Sequence, residues 1–429
     1  MSEPTSDQTP AAPGRYVIVF ADADAANAAD AGSGTGTDSG SGSGSETHAD
    51  LLSAAGVTSV ADSRDFTDQA VDVEQALGAD ALVFAELGVA VVTADESQLA
   101  ALTAAAAGAG RILAVEPEAE FHALHSAETS TETATELAGV GAAQIWQDTP
   151  IWTWGLLATG VTTSPWSGQG VRVAVLDTGF DLTHPDFAGR SVTSLSFVPG
   201  QAVQDGHGHG THCIGTAAGP RTVPGGRGYG IAHEADIYAG KVLGDDGRGS
   251  DTNILAAINW AVAAGVEVIS LSLGADLPRV STRYETIGRR ALAAGSLIVA
   301  AAGNNADRRV NNVGFVGVPA NSPSILAVGA LTPDEDIAYF SARSGAVRGG
   351  QVDIVAPGWA VYSSVPAPQG HGPKSGTSMA TPHVAGIAAL FSQATGHTGR
   401  DLWATLVQTA RRLLLPSVDV GAGLVQAPQ

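Results

Sequence analysis

Two kinds of apolar patterning divide the chain. From residue 15 to about residue 122, short strand-like runs alternate with helix-like stretches. The runs are Tyr16-Val17-Ile18-Val19-Phe20, Ala81 to Phe84, Gly88 to Thr93 and Arg111 to Val115, and the helical stretches are His48 to Ala55 and the Ala-rich Asp95 to Ala107. This order predicts a small two-layer α+β domain. Beyond residue 149 the strands become almost continuously apolar: Val171 to Leu176, Ile237 to Leu243, Val266 to Leu273, Leu297 to Ala302 and Ile325 to Val328. Helix-like stretches such as Asn253 to Ala264 and Tyr284 to Ala294 separate them. A strand apolar at every position buries both faces, so this half is read as α/β, a largely parallel sheet between helices. Sites in such sheets lie beyond the carboxyl ends of the strands. Asp177, Gly274 and Gly303-Asn304 each follow such an end and are expected on one rim.

The stretches between have little to bury. Residues 1–14 read as a disordered tail, the Gly/Ser/Thr tract at 31–45 as a flexible loop, and 123–148, with its SAETSTETATE run, as a linker. A chain of 429 residues accommodates two domains, and 15% charged residues with 54 glycines suit a globular protein rich in turns. The formal charge of −22 disfavours nucleic acid and anionic membrane as partners. The richest apolar run, Ala81 to Val92, is interrupted by Glu86 and is too short to span a bilayer. The N-terminal residues have neither the basic nor the apolar region of a secretory signal. That reading favours a cytoplasmic or unconventionally exported protein, with secretion if the N-terminus is incomplete. The single cysteine, Cys213, excludes an intrachain disulfide and a multi-thiolate zinc site.

The chemistry gathers at three places. In Ser375 to Gly386 a small Gly-containing loop runs into an Ala/Val/Gly/Ile/Leu segment, which puts Ser378 at a helix N-terminus where unpaired N–H groups favour a developing oxyanion. Taken alone, this stretch is equally a tight turn before a packed helix. A Ser hydroxyl needs a base, and the base needs an acid to hold its tautomer. Histidines crowd into Asp205 to Cys213, and Asp177 stands at a strand end. His207-x-His209-x-x-His212 also has the spacing of a metal cluster, although no acidic residue follows His209 within it and a metal hydrolase has no need of the Ser378 loop.

Asp177-Thr178-Gly179, His209-Gly210-Thr211-His212 and Gly376-Thr377-Ser378-Met379-Ala380 resemble, in that order, the signature segments of the subtilisin-like serine proteases. The resemblance runs from about Trp154 to Pro428, including His184-Pro185-Asp186 and Gly421 to Val425. It implies a serine endopeptidase at residues 149–429 acting through an acyl-enzyme, with Ser378 as nucleophile, His209 as base and then acid, Asp177 as orienting carboxylate and Asn304 as oxyanion donor. All four positions are filled, which weighs against a groove that only binds peptide. Ser272-Leu273-Gly274 resembles the strand that pairs with an extended substrate, with Gly317 at the base of the S1 pocket and Gly247 to Ser250 along its far wall. Broad specificity with a large apolar P1 residue follows from it. Val318-Pro319 resembles the family's cis-proline turn, and Cys213 the buried thiol of the proteinase K branch. No cofactor is implied for catalysis. A structural Ca²⁺ is implied at Asp353 with the carbonyls of Pro323 and Ile325, whereas Ala218 to Gly230 lacks the Asn-rich pattern of a second such site.

Residues 15–122 resemble the family's ferredoxin-like propeptide, on Tyr16 to Phe20, Gly88 to Thr93 and Val115-Glu116-Pro117. The resemblance implies a zymogen whose own propeptide serves as intramolecular chaperone and inhibitor. Autocleavage is expected between about Phe121 and Leu137. Protein or peptide substrates and a monomeric state complete the expectation.

Overall fold

The computed structural model describes residues 14–22, 47–108, 110–124, 145–346 and 349–429. The expected tail, the Gly/Ser tract and most of the expected linker lie outside the described residues.

The runs that are apolar at every position form one parallel sheet. Its seven strands lie in the order Ile354–Pro357, Leu326–Leu331, Leu297–Ala301, Val268–Leu271, Arg172–Asp177, Asp236–Lys241 and Val192–Ser196. The chain starts in Arg172–Asp177, builds outwards to Val192–Ser196 and back through Asp236–Lys241, then crosses to Val268–Leu271 and builds the other way. The order therefore reverses beside the end of Arg172–Asp177, where such sheets open a crevice. Asp177 stands at that opening. Two strands that apolar runs alone do not predict are the sheet's edges. Val192–Ser196 reads Val-Thr-Ser-Leu-Ser and is only partly buried, because an edge strand keeps one side in contact with water.

The expected strand Val266 to Leu273 divides. Val268–Leu271 stays in the parallel sheet, whereas Leu273–Gly274 leaves it for a three-stranded sheet in the order Arg248–Ser250, Glu120–Ala123, Leu273–Gly274. Ser272 is the turning point between the two.

The smaller domain is a five-stranded sheet in the order Val60–Asp62, Ala81–Phe84, Val89–Ala94, Gly14–Phe20, Ile112–Pro117. The three stretches that carried its resemblance are neighbours: Gly14–Phe20 pairs antiparallel with both Val89–Ala94 and Ile112–Pro117. Its period-two alternation explains why Val17-Ile18-Val19-Phe20 is wholly buried. Ile18 and Phe20 pack with Leu52, Val57 and Leu102 under the domain's own helices, while Val17 and Val19 join the core of the large domain. Helices Asp251–Ala263 and Thr282–Ala293 of the large domain cover that second face.

Candidate active site

Helix Thr377–Thr395 carries Ser378 in its first turn, and its sequence prepares the surroundings of that residue. Pro382 has no N–H to give to the carbonyl four residues back, which is that of Ser378. That carbonyl instead accepts from Ser272 Oγ at 2.9 Å and from the Cys213 thiol at 3.6 Å. Ser378 Oγ in turn donates to the Ser272 carbonyl oxygen at 2.9 Å. Ser272 and Ser378 are thus bound reciprocally, and the helix of Ser378 is locked to the strand leading into the three-stranded sheet.

His209 opens helix His209–Ala218 and is fully buried. Its Nδ1 lies 2.7 Å from Asp177 Oδ1, which also accepts the N–H of Thr178 at 2.7 Å. A carboxylate can only accept, so it selects the tautomer with hydrogen on Nδ1 and leaves the lone pair on Nε2. Cys213, one turn further on, has its sulfur 3.8 Å from His209 Nδ1. Base and nucleophile helix therefore pack against the same thiol.

Asp205 is a positioning residue that the sequence reading named only as the edge of the histidine cluster. One oxygen accepts from Thr178 Oγ1 at 2.9 Å and from the N–H groups of His207 and Gly208, and the other takes the N–H and hydroxyl of Thr211. It thereby ties the first turn of the His209 helix, through Thr211, to the turn of Asp177. Lys241, wholly buried, secures the same turn through the Thr178 carbonyl at 2.6 Å. Gly210 is required by this contact, since a Cβ there would stand 2.3 Å from the carbonyl oxygen of Gly179.

Asn304 follows strand Leu297–Ala301. Its Oδ1 accepts the N–H and the hydroxyl of Thr377, both at 2.9 Å, which fixes the amide orientation. Nδ2 is buried with no hydrogen-bond partner among the described residues. An unsatisfied buried donor costs about 1–3 kcal/mol, so the fold holds this one at a cost.

The three histidines do not converge on a metal. His209 faces Asp177, and His212 Nε2 bonds the Val361 carbonyl at 2.8 Å. Burial pushes the His212 imidazole down to about 3, so it stays neutral. Cys213 is buried and unpaired by disulfide, and burial with the Asp177 charge raises its thiol well above the usual range.

The groove is filled by the chain itself. Glu120–Ala123 runs antiparallel between Arg248–Ser250 and Leu273–Gly274, with His122 opposite both Arg248 and Gly274. The pairing carries the chain beyond the expected boundary at residue 122. Leu124 N–H donates to the Ser272 carbonyl at 3.3 Å, the same oxygen that holds Ser378 Oγ, and Ala123 N–H donates to the Gly247 carbonyl at 3.0 Å. The Leu124 side chain lies against Gly274, 2.9 Å from where a Cβ would stand. Gly317 is needed for a different approach: a Cβ there would meet the Ala275 carbonyl at 2.5 Å, and the bond Val318–Pro319 that follows is cis. Phe121 is fully buried, edge-on to Tyr284 with ring centroids 5.6 Å apart.

Asp353 lies apart from this rim. Its Oδ2 accepts the Ala327 N–H at 2.8 Å, on the segment that also holds Pro323 and Ile325. Desolvation, only partly offset by that bond, pushes its carboxyl up to about 7. No ion pair neutralises it among the described residues.

The Subtilase family model matches residues 168–424. Subtilisin E of Bacillus subtilis (strain 168) is 40% identical over 228 residues, which are 53% of this chain and 56% of that protein. Subtilisin BL of Lederbergia lenta is 43% identical over 228 residues, 53% of this chain and 78% of its own length. M-protease of Shouchella clausii (strain KSM-K16) is 39% identical over 301 residues, 66% of this chain and 74% of its own. The chain thus spans about half the length of the first of these relatives. Because the family match takes in the Asp177 turn, the His209 helix, Asn304 and the Ser378 helix in one span of more than half the residues, the chain belongs to the subtilase family.

Proposed function

We propose that this chain is a serine endopeptidase made as a self-inhibited precursor. Ser378 attacks the peptide carbonyl, His209 takes its proton and returns it to the leaving amine, and Asp177 stabilises the imidazolium formed between the two steps. Water then repeats the sequence on the acyl-enzyme. The Asn304 amide and the Ser378 N–H receive the oxyanion. No cofactor takes part in these steps.

The observation that carries the proposal is the strand in the groove. Antiparallel pairing on both sides reads backbone rather than side chains, which suits broad specificity. Leu124, bonded through its N–H to the oxygen beside Ser378 Oγ, occupies the register of a P1 residue, and Phe121 that of P4. The scissile bond of maturation is then Leu124–His125, and residues 14–124 remain bound as product. Carboxylates of the small domain reinforce that complex at two helix N-termini: Glu118 accepts the Thr252 N–H and Glu116 the Thr282 N–H. A monomer suffices for this chemistry.

A peptide library varied at P1 tests the reading. Leu, Phe, Tyr and Met are expected to be cleaved at least about tenfold faster than Arg or Asp, since apolar contacts of this size are worth that factor. Preference for Arg or Asp would overturn it.

We also assign a structural Ca²⁺ to Asp353, to which the family resemblance adds the Pro323 and Ile325 carbonyls, since an unneutralised, desolvated carboxylate suits a hard cation. Without a cation, Asp353 has a folded value of about 7 against an ordinary 3.8, so from about pH 4 to 7 the folded state alone holds its proton. Its contribution therefore lowers stability as pH rises through that window. His212 and His383, held neutral by burial at about 3 and 4, act oppositely, losing stability as pH falls below 6.5. Chelator is expected to lower Tm clearly at pH 8 and little at pH 5 in the parent chain, and at neither pH in Asp353→Asn. Equal melting with and without chelator at pH 8 would count against the ion.

A further inference from the structure

A second group of metal-ligating side chains lies outside the catalytic machinery: His184 and Asp186, in the turn after the strand of Asp177, and His371, at the start of strand His371–Lys374. One ligand atom from each lies within 4.8 Å of the other two. We propose that these three residues bind a divalent transition metal of the Zn²⁺ class. The donor set, two imidazoles and one carboxylate, is that of zinc and its neighbours rather than of Ca²⁺ or Mg²⁺, which take oxygen.

Three features prepare the residues for this role. His184 Nε2 lies 2.7 Å from the Gly370 carbonyl. A carbonyl can only accept, so the ring hydrogen sits on Nε2 and Nδ1 keeps its lone pair. A backbone carbonyl is a usual outer partner of a metal-bound imidazole. Nδ1 is otherwise engaged only by the Asp186 N–H at 3.3 Å, a long contact that a metal displaces at little cost. The His184 ring is 3% exposed and is held edge-on to Phe187.

His371 is also held in place before any metal arrives. Its ring stacks on Tyr362 at 5.5 Å with an interplanar angle of 11° and meets Tyr229 edge-on. Its Nε2 is 2.7 Å from Asp186 Oδ2, which the Tyr229 hydroxyl also bonds at 2.6 Å. With metal on His371 Nε2, the ring hydrogen moves through solvent to Nδ1 so the imidazole stays neutral, and the Tyr229 bond continues to orient the carboxylate. Partial exposure of the His371 and Asp186 side chains, 27% and 12%, opens a path from water and leaves room for a water ligand. Binding would tie the 184–186 turn to Gly370 and His371, the start of the segment that leads to Ser378.

The test uses the tag-free, full-length Ser378→Ala chain, which does not digest itself, titrated with Co²⁺ and followed by visible absorption, then with Zn²⁺ in competition. Saturable one-to-one binding is expected, with ligand-field bands and no thiolate charge-transfer band, and displacement by Zn²⁺. His371→Phe, which keeps the stack on Tyr362, and His371→Gln, which keeps a donor to Asp186, should each weaken binding at least about tenfold, the range for loss of a ligand or its close support. Cys213→Ser should leave binding unchanged, and Zn²⁺ should raise the Tm of the parent but not of either His371 variant. Lack of saturable binding, equal binding by the His371 variants, or a thiolate band lost in Cys213→Ser would each overturn the proposal. The last would place the ion at Asp177, His209 and Cys213 instead.

Discussion

Ser378→Ala is expected to leave the chain at full length, whereas the unaltered chain separates into two pieces with a new N-terminus at His125. In subtilisin the equivalent loss costs roughly 10⁶-fold in kcat, and a factor of this size makes self-cleavage unmeasurable. The position of the cut follows from register. Leu124 N–H reaches the Ser272 carbonyl, and on the proposed reading this makes Leu124 the P1 residue and Leu124–His125 the bond to be cut. N-terminal sequencing and intact mass of both chains decide the matter. A cut in the Ser378→Ala chain would transfer the activity to another residue or a contaminant, and a cut in the parent at another bond would show that the strand occupies a different register during reaction. Labelling by a fluorophosphonate should follow the same division: the parent reacts after maturation and the alanine variant does not.

Asp177→Asn is expected to lower kcat by about 10⁴-fold with little change in KM. Asp177 has no hydrogen bond to Glu120–Ala123 among the described residues; on the proposed reading it acts through His209 Nδ1 at 2.7 Å. An amide in its place can donate to Nδ1, which moves the ring hydrogen to Nε2 and removes the lone pair that must accept the Ser378 proton. The fold should survive, since Asp205 still holds Thr178 and the start of the His209 helix; the Thr178 N–H, which shares Asp177 Oδ1 with His209 Nδ1, is the one bond given up. The variant matures slowly for the same reason, so it is best processed by added wild-type enzyme before its kinetics are read. A loss carried mainly by KM, or one below about tenfold, would contradict the orienting role.

Subtle features of the site explain what the bare motifs do not. The signature segments name Ser378 and His209 but not how the nucleophile is held. Pro382 does that indirectly, by freeing a carbonyl that Ser272 and Cys213 then occupy. Asp205 stands ahead of Gly208, the N-cap of the His209 helix, so no cap preference singles it out, and its bond to Thr178 depends on a residue 27 positions away.

The sequence by itself determined the parallel sheet and the order of the signature segments. These are legible because they rest on local periodicity: strands apolar at every position demand two covered faces, and a serine, a histidine and an aspartate after strand or loop signals need no long-range information to be recognised. It also left Phe121 and Leu124 as ordinary apolar residues near a linker. Only the tertiary structure decided that they lie in the groove, since strand register depends on backbone pairing between Glu120–Ala123 and two segments more than a hundred residues distant. The same holds for His184, Asp186 and His371. Two stand in one turn and the third lies 185 positions beyond Asp186, and folding a sheet between them is what sets their ligand atoms within reach of a single ion.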